Sequence, residues 1–182
     1  MTKYYFVRHG ESTANAEGLF AGFTNATLTD RGIAQAQAAA EDIAASGIHF
    51  DVIFASPLSR AFETAKIITE AVHYSSIDII VLQDLRERSA GELELAPVKA
   101  VYDVSEEQMA IYGGETAEQF RHRAATVFED IRQQTKDAQN VLVVAHAGIY
   151  KMAIALRQAI EPATEAYQIP PPPNARLLEL PL

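Results

Sequence analysis

The chain has 182 residues, which suits a single domain, and its 15 Lys and Arg against 24 Asp and Glu give a formal net charge of −9. This acidic balance argues against general binding to nucleic acid or to an anionic membrane surface. The longest apolar runs, Val141–Ala145 and Met152–Leu156, are far shorter than the ~20 residues of a membrane span. Since the chain has no cysteine, disulfides, thiolate metal sites and a cysteine nucleophile are excluded, and we expect one soluble, cytoplasmic domain.

Short β-branched and aromatic runs alternate with longer amphipathic stretches, a rhythm typical of an α/β domain. The predicted strands are Tyr4–Val7, Val52–Ala55, Ile79–Leu82, Val141–Ala145 and a weaker Leu177–Leu180. We therefore expect a three-layer domain with a mainly parallel central sheet flanked by helices.

Capping residues and helical spacing of apolar residues predict long helices between these strands. In chain order they run from the cap Thr29 to Gly47, from the N-cap Ser56 with Pro57 at the first helical position, from about Thr116 to Thr135, and from near Gly148. The first helix is expected to bury Ile33, together with Ala36, Ala40 and Ile43.

Two segments interrupt the rhythm. Residues Glu92 to Gly114 carry mixed charge, one proline and a double glycine, so we interpret them as an insertion or lid rather than as a second domain. We call them the lid segment (92–114). Pro170–Pro173 is interpreted as a stiff connector into the final strand, and the alternative is a ligand for a proline-binding module.

Cationic and imidazole side chains follow three of the predicted strands at the point where each strand ends. Arg8 and His9 follow the first strand, Arg60 lies in the first turn of the helix after the second, and His146 follows the fourth. Because ligands of open α/β sheets bind beyond the carboxyl ends of the strands, we expect one pocket to contain all four side chains. Two guanidinium and two imidazole groups suit a dianionic phosphoryl group.

The other histidines do not suggest a metal site. His49 precedes a strand, His73 ends a helix and His122 lies within a helix, so we assign them structural or solvent-exposed roles. The five histidines lack the close pairing of a zinc site. The sequence therefore predicts no metal and no cofactor.

A set of short motifs supports the strand-end argument. The motifs are Val7–Ser12 with Asn15, Phe20 and Gly22, Leu28-Thr29 with Gly32, Ser56–Ala61 with Thr64-Ala65, Leu85–Glu87 with Gly91 and Glu94, Gly113–Thr116, and Val144–Gly148. In this order and over nearly the whole chain, they resemble the signature of the histidine phosphatase superfamily, also called phosphoglycerate mutase-like. The resemblance implies the fold of that superfamily, and its sites coincide with the three strand ends.

The resemblance also implies a chemistry. It makes His9 the nucleophile that forms a phosphohistidine, and Glu87 the donor of a proton to the leaving group. The residues expected to contact the phosphoryl group or the substrate are Arg8, Asn15, Gly22, Arg60 and His146. The implied activity is metal-independent hydrolysis of a phosphate monoester.

Elementary electrostatics supports His9 as the nucleophile and argues against Glu87 as the proton donor. Two nearby arginines should lower the pKa of His9 below ~6.5 and keep the imidazole neutral for attack. Arg86 and Arg88 flank Glu87 and would lower its pKa, which weakens an acid. In an extended chain, however, their side chains project away from that of Glu87.

The lid segment bears on which branch of the superfamily the chain resembles. Mutases of the superfamily carry a tyrosine shortly after the acid and a basic pair in the following insertion, whereas here the tyrosine position is Ala90 and Lys99 is the sole cation between Glu94 and Gly113. We therefore expect the phosphatase branch, acting on a small phosphorylated substrate. The alternatives are a 2,3-bisphosphoglycerate-dependent phosphoglycerate mutase and a non-catalytic member that binds phosphorylated ligands. The sequence leaves the alcohol part of the substrate and the oligomeric state open.

Overall fold

The computed structural model describes residues 1–71 and 78–182. Within them, five strands form one sheet: β1 Lys3–Arg8, β2 Val52–Ala55, β3 Ile79–Val81, β4 Asn140–Ala145 and β5 Leu177–Glu179. Their spatial order is β3-β2-β4-β1-β5. β5 is antiparallel to β1, and the other pairings are parallel. The expected mainly parallel α/β sheet is confirmed, with strand ends correct to within one residue.

Helices connect the strands and cover the sheet. Their bounds are α1 Thr13–Ala16, α2 Asp30–Ser46, α3 Ser59–Ala71, α4 Val98–Asp103, α5 Glu106–Ile111, α6 Ala117–Gln134 and α7 Ala147–Arg157. Short 3-10 turns occupy Gln83–Leu85, Gly91–Leu93 and Ala163–Gln168. None of the described helices is long and apolar enough to cross a membrane.

The central strand β4 is buried on both faces, which explains its unbroken apolar run. Val141, Val143 and Ala145 pack in one core with residues of α6 and α7. Leu142 and Val144 pack in a second core with residues of α2 and α3. The sheet therefore lies between two helical layers, as expected.

The predicted helix ends are largely confirmed, with two corrections. Thr29 caps α2 by accepting a hydrogen bond from the Gly32 N–H, but Ile33 is 37% exposed because it lies on the outer face of that helix. Ser56 is not the N-cap of α3. Its hydroxyl is bonded to His146 Nε2 at 2.7 Å, and the helix begins two residues after Pro57.

The lid segment contains α4 and α5, and it is tied to the loop after α1. Phe20 N–H donates to the Ala96 carbonyl, and Leu95 N–H donates back to the Phe20 carbonyl. Val101 and Met109 are buried in a small apolar cluster of their own. These contacts place the lid segment beside the carboxyl end of the sheet.

Candidate active site

A cavity of about 310 Å³ opens at the carboxyl ends of the parallel strands, and we call it the strand-end cavity. Its walls include all but one of the site residues expected from the sequence: Arg8, His9, Asn15, Gly22, Arg60 and Glu87. The exception, His146, is fully buried beside it, with its ring centroid 5.2 Å from that of His9. The topology therefore brings together the side chains that the strand-end argument selected.

The hydrogen bond of the His9 ring defines its tautomer. His9 Nδ1 lies 2.7 Å from the Gly10 carbonyl oxygen, which only accepts, so Nδ1 carries the proton and donates. The backbone N–H of His9 donates to Ala145 on the neighbouring strand, and Asn174 Nδ2 donates to the His9 carbonyl. The ring is thus held with Nε2 as the unprotonated nitrogen, which is the form required of a nucleophile.

The surroundings of His9 also keep it neutral. Burial lowers its pKa well below the ordinary value, and the positive charges of Arg60 and Arg8 lower it further. The hydrogen bond to Gly10 opposes this effect but is the smallest contribution. The expectation that two arginines depress this pKa is thus supported, although burial contributes more than either arginine.

We expect the buried His9 imidazole to remain neutral as the pH falls through 6.5, whereas the same residue in urea-unfolded protein becomes protonated there. The Cε1–H chemical shift measured by NMR between pH 4 and 8, assigned by its loss in the His9→Ala variant, tests this. Because the unfolded chain binds more protons below pH 6.5, His9 should also lower the stability of the fold as the pH falls below that value. Protonation of folded His9 at or above pH 6.5 would contradict the expectation.

Arg60 is a buried cation whose guanidinium is fixed by backbone carbonyls. It is 2% exposed, and its two terminal nitrogens donate to Gly22 and Thr24, each at 2.9 Å. Burial lowers its pKa to about 10, against the opposing charges of Glu87 and Glu94. Arg60 therefore stays cationic at neutral pH.

Arg8 is the last residue of β1 and lines the strand-end cavity. Its Nη1 donates to the Pro172 carbonyl at 3.0 Å, so the proline-rich connector before β5 positions this guanidinium. Its buried Nε has no hydrogen-bond partner within residues 1–71 and 78–182. A buried donor without a partner is rare in folded proteins, and an anion in the cavity would satisfy it.

The loop whose carbonyls bind Arg60 is also held by hydrogen bonds to Glu94. The Glu94 carboxylate accepts from Phe23 N–H at 2.8 Å and from Thr24 Oγ1 at 2.6 Å. Gly22 has a φ of +50°, and a Cβ there would meet the Glu94 carboxylate. Gly22 thus contributes backbone geometry to the site, and Glu94 acts as a positioning residue whose function the sequence did not reveal.

His146 presents a second imidazole without a charge. Its pKa is lowered well below the ordinary value by burial and then by Arg60, so the ring is neutral. One nitrogen, Nε2, is bonded to Ser56, and the other, Nδ1, is buried without a partner among the described residues. When Ser56 donates to Nε2, the Nδ1–H is available as a donor to an anionic oxygen.

Glu87 is held at the start of α7. Its carboxylate oxygens accept from Arg88 N–H at 2.9 Å and from Gly148 N–H at 3.1 Å. The flanking side chains project away from it, as expected: the Arg86 guanidinium stacks 4.1 Å from the Phe23 ring centroid, and Arg88 binds another carboxylate. The flanking arginines therefore do not pair with the Glu87 carboxylate.

Asn15 has two roles in the geometry. Its side-chain carbonyl accepts from Ser12 N–H, and Ser12 Oγ accepts from Asn15 N–H, so the pair forms a capping box at α1. Asn15 also lines the strand-end cavity. Its side-chain amide N–H groups are left for a ligand, because the capping box uses only the carbonyl.

Two further polar side chains that line the cavity were not predicted as site residues, Tyr102 from the lid segment and Lys151 from α7. Lys151 is 7% exposed, and its Nζ donates to the Tyr167 carbonyl at 3.0 Å. The spacing in the sequence could have pointed to Lys151, because it lies four residues after Ala147 and therefore on the same helix face. The apolar residues around it made that helix look purely structural.

The other histidines that the structure describes, His49 and His122, do not line the cavity. His122 is exposed on α6, His49 precedes β2, and His73 lies outside the described residues. Within residues 1–71 and 78–182, no group of three or more His, Asp or Glu side chains is placed to bind a metal ion.

Comparisons with known proteins give two kinds of relatives. Residues 4–180 match the family model of the histidine phosphatase superfamily (branch 1). A 2,3-bisphosphoglycerate-dependent phosphoglycerate mutase of Parvibaculum lavamentivorans is 36% identical over an alignment of 151 positions, which covers 77% of this chain and 72% of that protein. A phosphoserine phosphatase structure from Entamoeba histolytica, in complex with 3-phosphoglyceric acid, matches with a TM-score of 0.78 at 25% identity, over 97% of this chain and 89% of that one. An Escherichia coli structure described as an alpha-ribazole-5′-P phosphatase matches with a TM-score of 0.80 and the same identity and coverage.

Proposed function

The chain belongs to the histidine phosphatase superfamily, and on that premise we propose that it hydrolyses small phosphate monoesters through a phosphohistidine formed on His9. The observation that carries this proposal is the tautomer of His9. Its Nδ1–H is bound to the Gly10 carbonyl, and its Nε2 is unprotonated at a cavity lined by Arg8 and Arg60. A neutral imidazole beside two guanidinium groups suits attack on a phosphoryl dianion.

In the first step, the Nε2 lone pair attacks phosphorus, and the bond between phosphorus and the ester oxygen breaks. Arg8 and Arg60 stabilise the charge on the equatorial oxygens, and His146 Nδ1–H donates to one of them. Asn15 contributes its amide N–H groups. Glu87 gives a proton to the leaving alkoxide.

In the second step, water attacks the phosphohistidine. The Glu87 carboxylate accepts a proton from that water, the bond between phosphorus and Nε2 breaks, and inorganic phosphate leaves. His9 returns to its starting tautomer because the Gly10 carbonyl has kept the Nδ1 proton throughout. The proposed cycle needs neither a metal ion nor a cofactor.

The lid segment supports a phosphatase over a mutase. Its cation Lys99 is 86% exposed and paired with Asp103 at 2.6 Å, so it does not reach the strand-end cavity. Ala90 is fully buried and offers no hydroxyl. Without these polar contacts, a bisphosphorylated intermediate dissociates more readily, and water has time to enter.

The mutase is the second candidate, favoured by the names of relatives that are 30% or more identical to the chain. The presence of His9, Arg60 and Glu87 makes a non-catalytic binding member the weakest candidate. We propose that nucleic acids and membranes are not partners, because the cationic side chains Arg8, Arg60 and Lys151 lie in a small cavity of a chain with net charge −9.

With 3-phosphoglycerate, a 2,3-bisphosphoglycerate primer and EDTA, we expect inorganic phosphate to appear faster than 2-phosphoglycerate. Both products are followed in one reaction by ³¹P NMR, with p-nitrophenyl phosphate as a generic second substrate. Faster formation of 2-phosphoglycerate would establish the mutase. Loss of p-nitrophenyl phosphate hydrolysis on addition of EDTA would contradict the metal-free cycle.

A further inference from the structure

Lys151 is a buried cation that the proposed cycle does not use. Its Nζ makes one hydrogen bond, to the Tyr167 carbonyl, although an ammonium group has three donors. Within the described residues, no carboxylate lies within 4.0 Å of it. A buried ammonium without a paired carboxylate is costly, which points to a partner that is not part of the chain.

Lys151 lies where two cavities adjoin. Together with Tyr102, it lines both the strand-end cavity and a second cavity of about 480 Å³, which we call the side cavity. The other residues of the side cavity are Val104, Ser105, Glu106, Thr164, Tyr167 and Gln168. An alcohol whose phosphate sits at His9 and whose chain extends toward the side cavity therefore passes Lys151.

The charges around the side cavity leave Lys151 as its unpaired ion. The carboxylate of Glu106 is already bound by Arg88, with both of its oxygens 3.1 Å from Arg88 Nη2, and it also accepts from the Ala117 N–H. Arg88 is 5% exposed, and its ion pair with Glu106 neutralises both charges. Glu87, which lines the strand-end cavity with Lys151, acts on its charge from beyond ion-pair distance, so Lys151 keeps hydrogen-bond donors free for a ligand at the junction.

We propose that Lys151 binds a second anionic group, a carboxylate or a phosphate, on the alcohol part of the substrate. This inference rests on the proposed function, because it takes the phosphoryl group to sit at His9. In this proposal, a residue of α7 rather than one of the lid segment recognises the second anionic group. The substrate class is then a phosphate monoester with a further negative charge a few bonds from the ester oxygen.

The test compares matched substrates that differ only in this charge. ω-Carboxyalkyl phosphates with two to four carbons are each paired with the corresponding amide, and alkanediol bisphosphates are paired with the monophosphates. The ratio of kcat/KM within each pair cancels any general loss of activity. The wild type should prefer the anion by at least about tenfold in one arm, mainly through KM, and the preferred arm identifies carboxylate or phosphate.

Three variants assign the preference to Lys151. Lys151→Met, which keeps the aliphatic stem, should reduce the ratio to about one, whereas Lys151→Arg should retain a preference because it keeps the charge. The matched control Lys99→Met removes the exposed lid lysine and should retain the wild-type ratio. Thermal unfolding of each variant checks that the fold is intact.

Two results would overturn the inference: equal use of the anion and its neutral counterpart by the wild type, or an unchanged preference in Lys151→Met. If the wild type hydrolyses no pair, the proposed function fails, and the same pairs are compared by calorimetric binding to the His9→Ala variant. A tighter anion in that variant, lost on adding Lys151→Met, would still support Lys151 as the anion-binding residue. Equal binding would reject it.

Discussion

Replacing His9 by alanine is expected to lower kcat for phosphate monoesters by at least about a thousandfold, because no other side chain is placed to take over the attack on phosphorus. His146 does not substitute for it, since its Nε2 is bonded to Ser56 on the side of β2. The variant should also take up no acid-labile phosphate. The measurement is a millisecond quench with ³²P-labelled substrate, followed by separation of the protein and exposure of the label to acid and to alkali.

The matched control for this variant is His122→Ala, because His122 is exposed on α6 and its side chain makes no described hydrogen bond. It should retain both turnover and labelling. A phosphohistidine is labile in acid and stable in alkali, so the wild-type label should show that pattern. Labelling that persists in His9→Ala would assign the nucleophile to another residue, and turnover without any label in the wild type would favour direct attack by water.

The strand-end residues were predictable because their placement depends on topology alone. Arg8, His9, Arg60 and His146 follow parallel strands, and the carboxyl ends of parallel strands meet at one edge of a sheet whatever the loops do. The two cores were predictable for a similar reason. Continuous apolar runs such as that of β4 are stable only between two helical layers.

Features that depend on long-range packing could not be predicted from the sequence. Ser56 has the local chemistry of an N-cap, and its hydroxyl does accept from the Leu58 N–H, but it is also bonded to His146, 90 residues away, and the helix begins only at Ser59. Lys151 is on a predicted helix, yet which helix face meets a cavity depends on how the turn Ala163–Gln168 packs against α7. Glu87 is one of 24 acidic residues, and only the resemblance to a family singled it out.

Glu87→Gln is expected to lower kcat/KM for alkyl phosphates by about 10²–10⁴-fold while affecting p-nitrophenyl phosphate much less. An alkoxide leaving group needs a proton as its bond to phosphorus breaks, whereas p-nitrophenolate leaves without one. Glutamine keeps the size of the side chain, and its amide oxygen can still accept from the Gly148 N–H that now holds the carboxylate. The measurement is kcat/KM for glycerol phosphate and for p-nitrophenyl phosphate in the variant and in the wild type.

The difference between the two substrates separates proton donation from positioning. If Glu87 only oriented the start of α7 through Gly148, glutamine would keep most of that hydrogen bond, and any remaining disturbance of His146 would slow both substrates alike. The control Glu118→Gln changes an exposed carboxylate in the first turn of α6 and should leave both rates unchanged. The bond to the leaving group breaks in the first step. Loss of the proton donor should therefore also slow the labelling of His9 by alkyl substrates, which quench-flow labelling detects directly. Equal losses for alkyl and nitrophenyl esters would assign Glu87 a positioning role and leave the source of the proton to another group in the strand-end cavity.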